Sequence, residues 1–139
     1  EIERAAQRSI SEIFATDGEP YFRDGERRVI ARLLDGPLAE RRKIIATGGG
    51  AFVNAETRAL ILRDGIAVWL DSDVDTLVER VGRKDTRPLL RGGNPREIIA
   101  RLKAEREGAY AQAPIHVMST SGPQSRTVGK VLKGIEQWL

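Results

Sequence analysis

The sequence predicts an α/β domain of three layers, in which helices cover both faces of a parallel sheet. Short, nearly continuous apolar runs occur at residues 43–47, 66–70 and 115–118, and such runs are typical of strands buried on both faces. Segments with helical spacing or helix caps separate these runs, and that alternation is typical of parallel sheets. We therefore expect about three parallel strands in this chain.

The helices are predicted from their caps and from the spacing of their apolar residues. Ser9 and Glu12 form a capping-box pattern, and Pro20 suits the first turn of the next helix. Asp71 or Ser72 is expected to cap the helix that follows the second strand. After a helix end near residues 2–6, the predicted helices cover residues 9–17, 20–34, 55–63, 74–82, 95–110 and 126–139.

Composition limits the classes of function. The 139 residues are 40% hydrophobic and 31% charged, which suits one domain with a core. A net charge of only +3 and an aromatic content of 5% argue against a nucleic-acid partner and favour small anions as the targets of the arginines. No apolar run approaches the roughly 18 residues of a membrane span, so we expect no membrane partner.

Metal ligands are not expected in this chain. It has no cysteine, and a single histidine, His116, cannot build a zinc site by itself. Asp71, Asp73 and Asp75 alternate after the second apolar run and could hold Mg²⁺. A helix cap and acids in the first helical turn explain them better.

Three consecutive glycines, Gly48 to Gly50, follow the first apolar run. Ligands of parallel sheets bind at the carboxyl ends of the strands. Glycine lets a ligand approach the backbone, because no Cβ stands in the way. A strand-to-helix turn that needs positive φ explains the triplet equally well.

Several arginines are candidate ligands for an anion, since guanidinium matches a carboxylate or phosphate. Solvation explains Arg23 alone, and a surface network of charges explains Arg106 alone. Arg87 lies in a loop over about 83–94 that is rich in cations. Such a loop looks like a mobile lid that would close over a phosphoryl group, with a solvated loop as the alternative.

Taken in order, five stretches resemble the shikimate kinase family, which belongs to the nucleoside-monophosphate-kinase-like P-loop kinases. The combination spans nearly the whole chain and is far more specific than any one piece. It implies a parallel sheet, with five strands in the complete family fold, and a lid loop. The matching stretches are SISEIFATDGEPYFR (9–23), IIATGGGA (44–51), GIAVWL (65–70), RPLL (87–90), and Arg106 followed by Tyr110.

The resemblance implies a substrate site for shikimate. Arg23 and Arg106 match the two family arginines that grip the shikimate carboxylate. Gly48, Gly49 and Gly50 match the triplet that binds substrate hydroxyls through its backbone. Two arginines on one carboxylate would orient the ring so that one hydroxyl faces ATP.

The resemblance also implies ATP and Mg²⁺. Arg87 matches the lid arginine that faces the transferring phosphate, so it is the expected catalytic residue and an ATP ligand. Arg80 matches the position of an arginine at the base of the family's lid, and Gln124 matches the position of the family's adenine-contacting loop. The resemblance therefore implies that both contact ATP. The implied reaction is transfer of the γ-phosphoryl group of ATP to a shikimate hydroxyl, giving shikimate 3-phosphate in aromatic amino-acid biosynthesis.

One departure from the family is large. The chain has no G-x-x-x-x-G-K-[ST] phosphate loop. By the same resemblance, the position of the family's general base falls upstream of Glu1. We expect domain 1–139 to lack a strand–P-loop–helix–strand piece of roughly 35 residues and to be inactive alone.

Two other functions stay open. One is a related small-molecule kinase such as a gluconate kinase, and the other is a catalytically dead kinase-like binding domain. The kinase interpretation also predicts a cytoplasmic monomer whose partners are shikimate and ATP.

Overall fold

The computed structural model describes residues 1–37, 43–82 and 93–139. The chain forms two compact units, Glu1–Ile66 and Ala67–Leu139. The predicted lid covers residues 83–94. Residues 83–92, which include Arg87, lie outside the described residues. The elements are α1 (Ile2–Ala6), α2 (Ile10–Asp17), α3 (Glu19–Leu34), α4 (Ala55–Asp64), β1 (Val68–Asp71), α5 (Val74–Gly82), α6 (Pro95–Tyr110), β2 (Ile115–Met118) and α7 (Gln124–Trp138).

The first unit is helical in its described part. The predicted capping box begins α2, because the Ser9 hydroxyl accepts from the Glu12 amide and the Glu12 carboxylate accepts from the Ser9 amide. Helix α3 carries Pro20 in its first turn, as predicted, and contacts α1, α2 and α4. The buried apolar residues of this unit are Ile13, Phe22, Val29, Ile30, Ala51 and Phe52.

The predicted strand at residues 43–47 is wrong. This segment has no regular structure, and Ile44 is fully exposed. A strand needs a neighbouring strand to pair its backbone groups. In the described ranges the one sheet consists of β1 and β2, and no strand is paired with residues 43–47. Apolar content alone therefore did not make a strand here.

The second unit contains the parallel sheet, and this part of the predicted fold class is confirmed. Strands β1 and β2 pair in parallel, with Trp69 opposite His116. Helix α6 covers the face that carries Trp69, since Tyr110 lies 5.9 Å from it between ring centroids. Helix α7 contacts β2 on the other face, where Ile115 lies next to Gly134. Helices thus cover both faces of this sheet, as an αβα arrangement requires.

The helix boundaries agree with the prediction, apart from two details. The cap of α5 is neither Asp71 nor Ser72: Asp73 Oδ1 accepts the Thr76 amide at 2.7 Å, because the helix begins at Val74. Helix α7 begins two residues earlier than predicted, so Gln124 is its first residue and not the end of a loop.

In the described ranges, no helix has both the length and the apolar character needed to cross a membrane.

Candidate active site

Arg23 lies on α3 with a buried acidic partner. Its Nη1 donates to Glu26 Oε1 at 2.8 Å, and its Nε lies 3.4 Å from Glu19 Oε1. Glu26 is only 3% exposed, so this ion pair lies largely out of water. The guanidinium also lies 5.1 Å from the centre of the Phe22 ring. Glu26 thus holds Nη1 firmly, whereas Nε and Nη2 share only the long 3.4 Å contact with Glu19, and the Arg23 side chain remains 21% exposed.

The glycine triplet forms a turn beside Arg23. The Ala51 amide donates to the Gly48 carbonyl at 3.2 Å, and Ala51 is fully buried, which anchors the turn. A Cβ at Gly50 would lie 2.7 Å from Arg23 Nη1 and 2.5 Å from its Cζ. The structure therefore brings Arg23 and the triplet together within the first unit.

Positive φ does not explain the triplet. Among the described glycines the positive φ angles belong to Gly18 and Gly36. Residue 50 is glycine because the Arg23 guanidinium occupies the space that a Cβ at this position would need. At Gly48 a Cβ would meet Glu26 Oε2 at an ordinary 3.8 Å, so the fold of this unit does not itself exclude a side chain there.

Arg80 lies at the carboxyl ends of the two strands of the second unit. Its guanidinium donates to Ser119 Oγ at 3.0 Å, to the Thr120 carbonyl at 3.1 Å and to Ser72 Oγ at 3.3 Å. Ser72 and Ser119 directly follow β1 and β2. Arg80 therefore joins the two strand ends, and a phosphate at this place would compete with three protein acceptors.

Asp71, the last residue of β1, is the centre of a polar cluster. Lys103 Nζ lies 2.6 Å from its Oδ1, and His116 Nε2 lies 2.9 Å from its Oδ2. Burial, the largest single influence, would raise the pKa of Asp71, but the hydrogen bonds from Lys103 and His116 outweigh it and lower that pKa. The Asp71 carboxylate is thus held ionised between α6 and β2.

Arg106 is half-buried on α6 and, unlike Arg23, has no acidic partner among the described residues. Its side chain makes no hydrogen bond or ion pair with any residue of the described ranges. Glu105, its neighbour in the sequence, pairs with Arg101 at 3.8 Å. A half-buried cation that lacks a protein partner suits an external anion.

The chain's described residues do not offer a site for Mg²⁺. They contain no group of three or more histidine, aspartate or glutamate side chains that could hold a metal ion. The three alternating aspartates have other tasks. Asp71 pairs with Lys103, Asp73 caps α5, and Asp75 pairs with Arg96.

Glu26 was not among the residues predicted from the sequence, although the sequence holds a signal for it. Glu26 is four residues from both Phe22 and Ile30 and three from Val29, all buried on α3. An acid inside an apolar helical stripe needs a partner, and Arg23 stands three residues before it.

The fold defines an α/β protein with a glycine turn beside Arg23 in its first unit and with Arg80 and Arg106 in its second. A model of the family described as shikimate kinase matches residues 1–136. The chain belongs to the shikimate kinase family. This membership makes it a kinase of the ATP-using class and confirms the predicted function over the gluconate kinase and binding-domain alternatives.

Named relatives and solved structures agree with this family. The chain is 68% identical to a shikimate kinase of Novosphingobium aromaticivorans, over 100% of this chain and 72% of the relative. It is 55% identical to one of Caulobacter vibrioides, over 99% of this chain and 66% of the relative. The chain thus spans about two thirds to three quarters of the length of these two relatives.

Among solved structures, the chain is similar to shikimate kinase from Acinetobacter baumannii in complex with shikimate. The TM-score is 0.85 at 32% identity, covering 98% of this chain and 74% of that one. Shikimate kinase from Aquifex aeolicus gives a TM-score of 0.79 at 30% identity, covering 97% and 76% of the two chains. The predicted α/β fold class is confirmed by these neighbours.

Proposed function

We propose that this chain supplies the shikimate-binding part of an enzyme that transfers the γ-phosphoryl group of ATP to a shikimate hydroxyl. The observation that carries the proposal is the cluster of the first unit, in which Arg23 lies against Gly50 with Glu26 behind it. The family membership and the shikimate complex of the Acinetobacter relative support the choice of substrate.

In this proposal Arg23 binds the shikimate carboxylate through Nε and Nη2, and the carboxylate displaces the exposed Glu19 side chain, whose Oε1 lies a long 3.4 Å from both nitrogens. Glu26 orients the guanidinium and balances part of its charge, so a second carboxylate can join without leaving Glu26 unpaired. The Gly48–Gly50 turn presents backbone groups to the ring hydroxyls. Arg106 is proposed as the second arginine for the carboxylate.

The ATP side of the proposal rests on the family resemblance. Arg87 is proposed to face the transferring phosphate, Arg80 and Gln124 to contact ATP, and residues 83–94 to act as the lid. Mg²⁺, a monomeric state and a cytoplasmic location also remain predictions. The same proposal includes a phosphate loop supplied by residues other than these 139.

The first test is Arg23→Ala in the complete gene product. A lost charge-assisted hydrogen bond is worth about 1.5–3 kcal/mol, so KM for shikimate should rise about tenfold to a hundredfold. KM for ATP should change less than about twofold, because the arginine binds the other substrate. Steady-state kinetics with each substrate varied in turn measures both values.

Arg27→Ala is the matched control, because Arg27 lies one turn along the same helix and pairs with Asp24 at 2.7 Å. It should leave both KM values unchanged. The proposal is contradicted if Arg23→Ala raises both KM values equally. A methyl ester of shikimate adds a second check: without the carboxylate charge, Arg23→Ala should cause little further loss.

A further inference from the structure

Lys103 ties α6 to the end of β1. Its Nζ lies 2.6 Å from Asp71 Oδ1 and donates to the Ser72 carbonyl at 2.9 Å. The Asp71 side chain is only 12% exposed, so water screens this pair less than an ordinary surface pair. His116 holds the other carboxylate oxygen at 2.9 Å. Asp71 is therefore fixed from β2 and offers Lys103 a stationary partner.

The position of Arg106 depends on α6 itself. Lys103, Arg106 and Tyr110 follow at spacings of three and four residues, which places them on one face of the helix. Lys103 contacts the end of β1, and Tyr110 lies 5.9 Å from Trp69 on the same strand. Arg106 stands between these two contacts and has no polar partner of its own in the described ranges.

We infer that Lys103 is a positioning residue for Arg106. Its bonds to Asp71 and Ser72 fix the middle of α6 against the end of β1, both in its rotation about the helix axis and in its position along that axis. They therefore determine where the Arg106 guanidinium lies. The inference rests on the proposed function, in which Arg106 binds the shikimate carboxylate. Small displacements of a binding group reduce binding strongly, because charge-assisted bonds depend on geometry.

The test compares Lys103→Met, Lys103→Arg, Arg106→Ala and the double variant Lys103→Met/Arg106→Ala in the complete protein. Lys103→Met should raise KM for shikimate about fivefold to tenfold and change kcat and the ATP KM less than about twofold. Lys103→Arg keeps the cation and should restore most of the affinity. In the Arg106→Ala background, Lys103→Met should add less than about twofold, because its target is already gone.

Asp71→Asn is a second variant that removes the ion pair between Lys103 and Asp71. It keeps the shape of the side chain but removes its charge. It should raise KM for shikimate alone, which keeps the inference testable if Lys103→Met does not fold. Arg96→Gln is the control on the same helix, because it removes only an exposed pair with Asp75. It should leave KM unchanged.

Two results would overturn the inference alone: an unchanged shikimate KM in folded Lys103→Met, or a full additive effect in the Arg106→Ala background. The second result would show that Lys103 acts without Arg106. A wild-type protein that does not phosphorylate shikimate would overturn the proposed function, and this inference with it. The wild-type assay therefore separates the two failures.

Discussion

At the scale of single residues, Arg23 and Gly50 depend on each other. The guanidinium of Arg23 lies where a Cβ of residue 50 would be, and its Nη1 reaches Glu26 at 2.8 Å. Arg23 and the triplet were predicted as substrate residues from their resemblance to a family. Their direct contact was not predictable, because it joins residues that are far apart in the sequence.

Gly50→Ala is the prediction that follows from this contact. The new methyl group would push the end of the Arg23 side chain aside, and the shikimate KM should rise about tenfold. Gly48→Ala should raise KM less, because its Cβ meets Glu26 at an ordinary 3.8 Å. Steady-state kinetics of both variants measures the two shikimate KM values. A KM for Gly48→Ala that equals or exceeds that of Gly50→Ala would contradict the role of Gly50.

Asp71 gives a second prediction at this scale, on pH. Its folded-state pKa is lowered, so its ionised form stabilises the fold above an unfolded pKa of about 3.9. That contribution should be lost as pH falls below about 4. Asp71→Asn should therefore lower the free energy of unfolding at pH 7, and the difference from wild type should shrink at pH 3.

Urea unfolding at the two pH values measures this difference. Asp75→Asn is the control, since it removes an exposed carboxylate of the same unit and should change stability by less than about 0.5 kcal/mol. A difference between Asp71→Asn and wild type that stays constant from pH 7 to pH 3 would contradict the prediction.

At the scale of elements, α7 approaches β2 closely because it has glycine at position 134. A Cβ there would lie 2.8 Å from Ile115 Cγ2, a branched side chain that is itself buried. The sequence predicted α7 from its amphipathic spacing. From the sequence alone, a glycine inside a helix indicates only a lower helix propensity. The reason for Gly134 lies in the packing of helix on strand.

Gly134→Ala and Gly129→Ala form a matched pair for this contact. Nothing lies within 4 Å of a Cβ at Gly129, so Gly129→Ala should stabilise the protein by about 0.5–1 kcal/mol through helix propensity. Gly134→Ala gains the same propensity but overpacks Ile115, which costs about 1–3 kcal/mol. Urea unfolding of both should find Gly134→Ala the less stable, and equal gains would contradict the close packing.

At the scale of the whole molecule, large apolar side chains remain exposed on both units. In the first unit Ile44 is fully exposed. In the second, Val128 and Leu132 are 55% and 62% exposed and lie one turn apart on α7. Single exposed apolar side chains are common, but Val128 and Leu132 form adjoining apolar surface on one helix, which is more informative.

We therefore expect the 139-residue chain, expressed alone, to bind the dye 8-anilinonaphthalene-1-sulfonate with a clear rise in its fluorescence. Exposed apolar surface on compact chains binds this dye. The double variant Val128→Gln/Leu132→Gln should reduce the rise while retaining helical circular dichroism. A wild-type signal equal to that of a fully packed control protein would contradict the expectation.

The sequence by itself determined the family, the α/β class, the helix positions and the second and third apolar runs as parallel strands. These follow from caps, periodicity and ordered motifs, which neighbouring residues encode. Tertiary structure decided which groups meet: Asp71 pairs with residues 32 and 45 positions away. It also left residues 43–47 without a strand, because a strand exists only where another strand pairs with it.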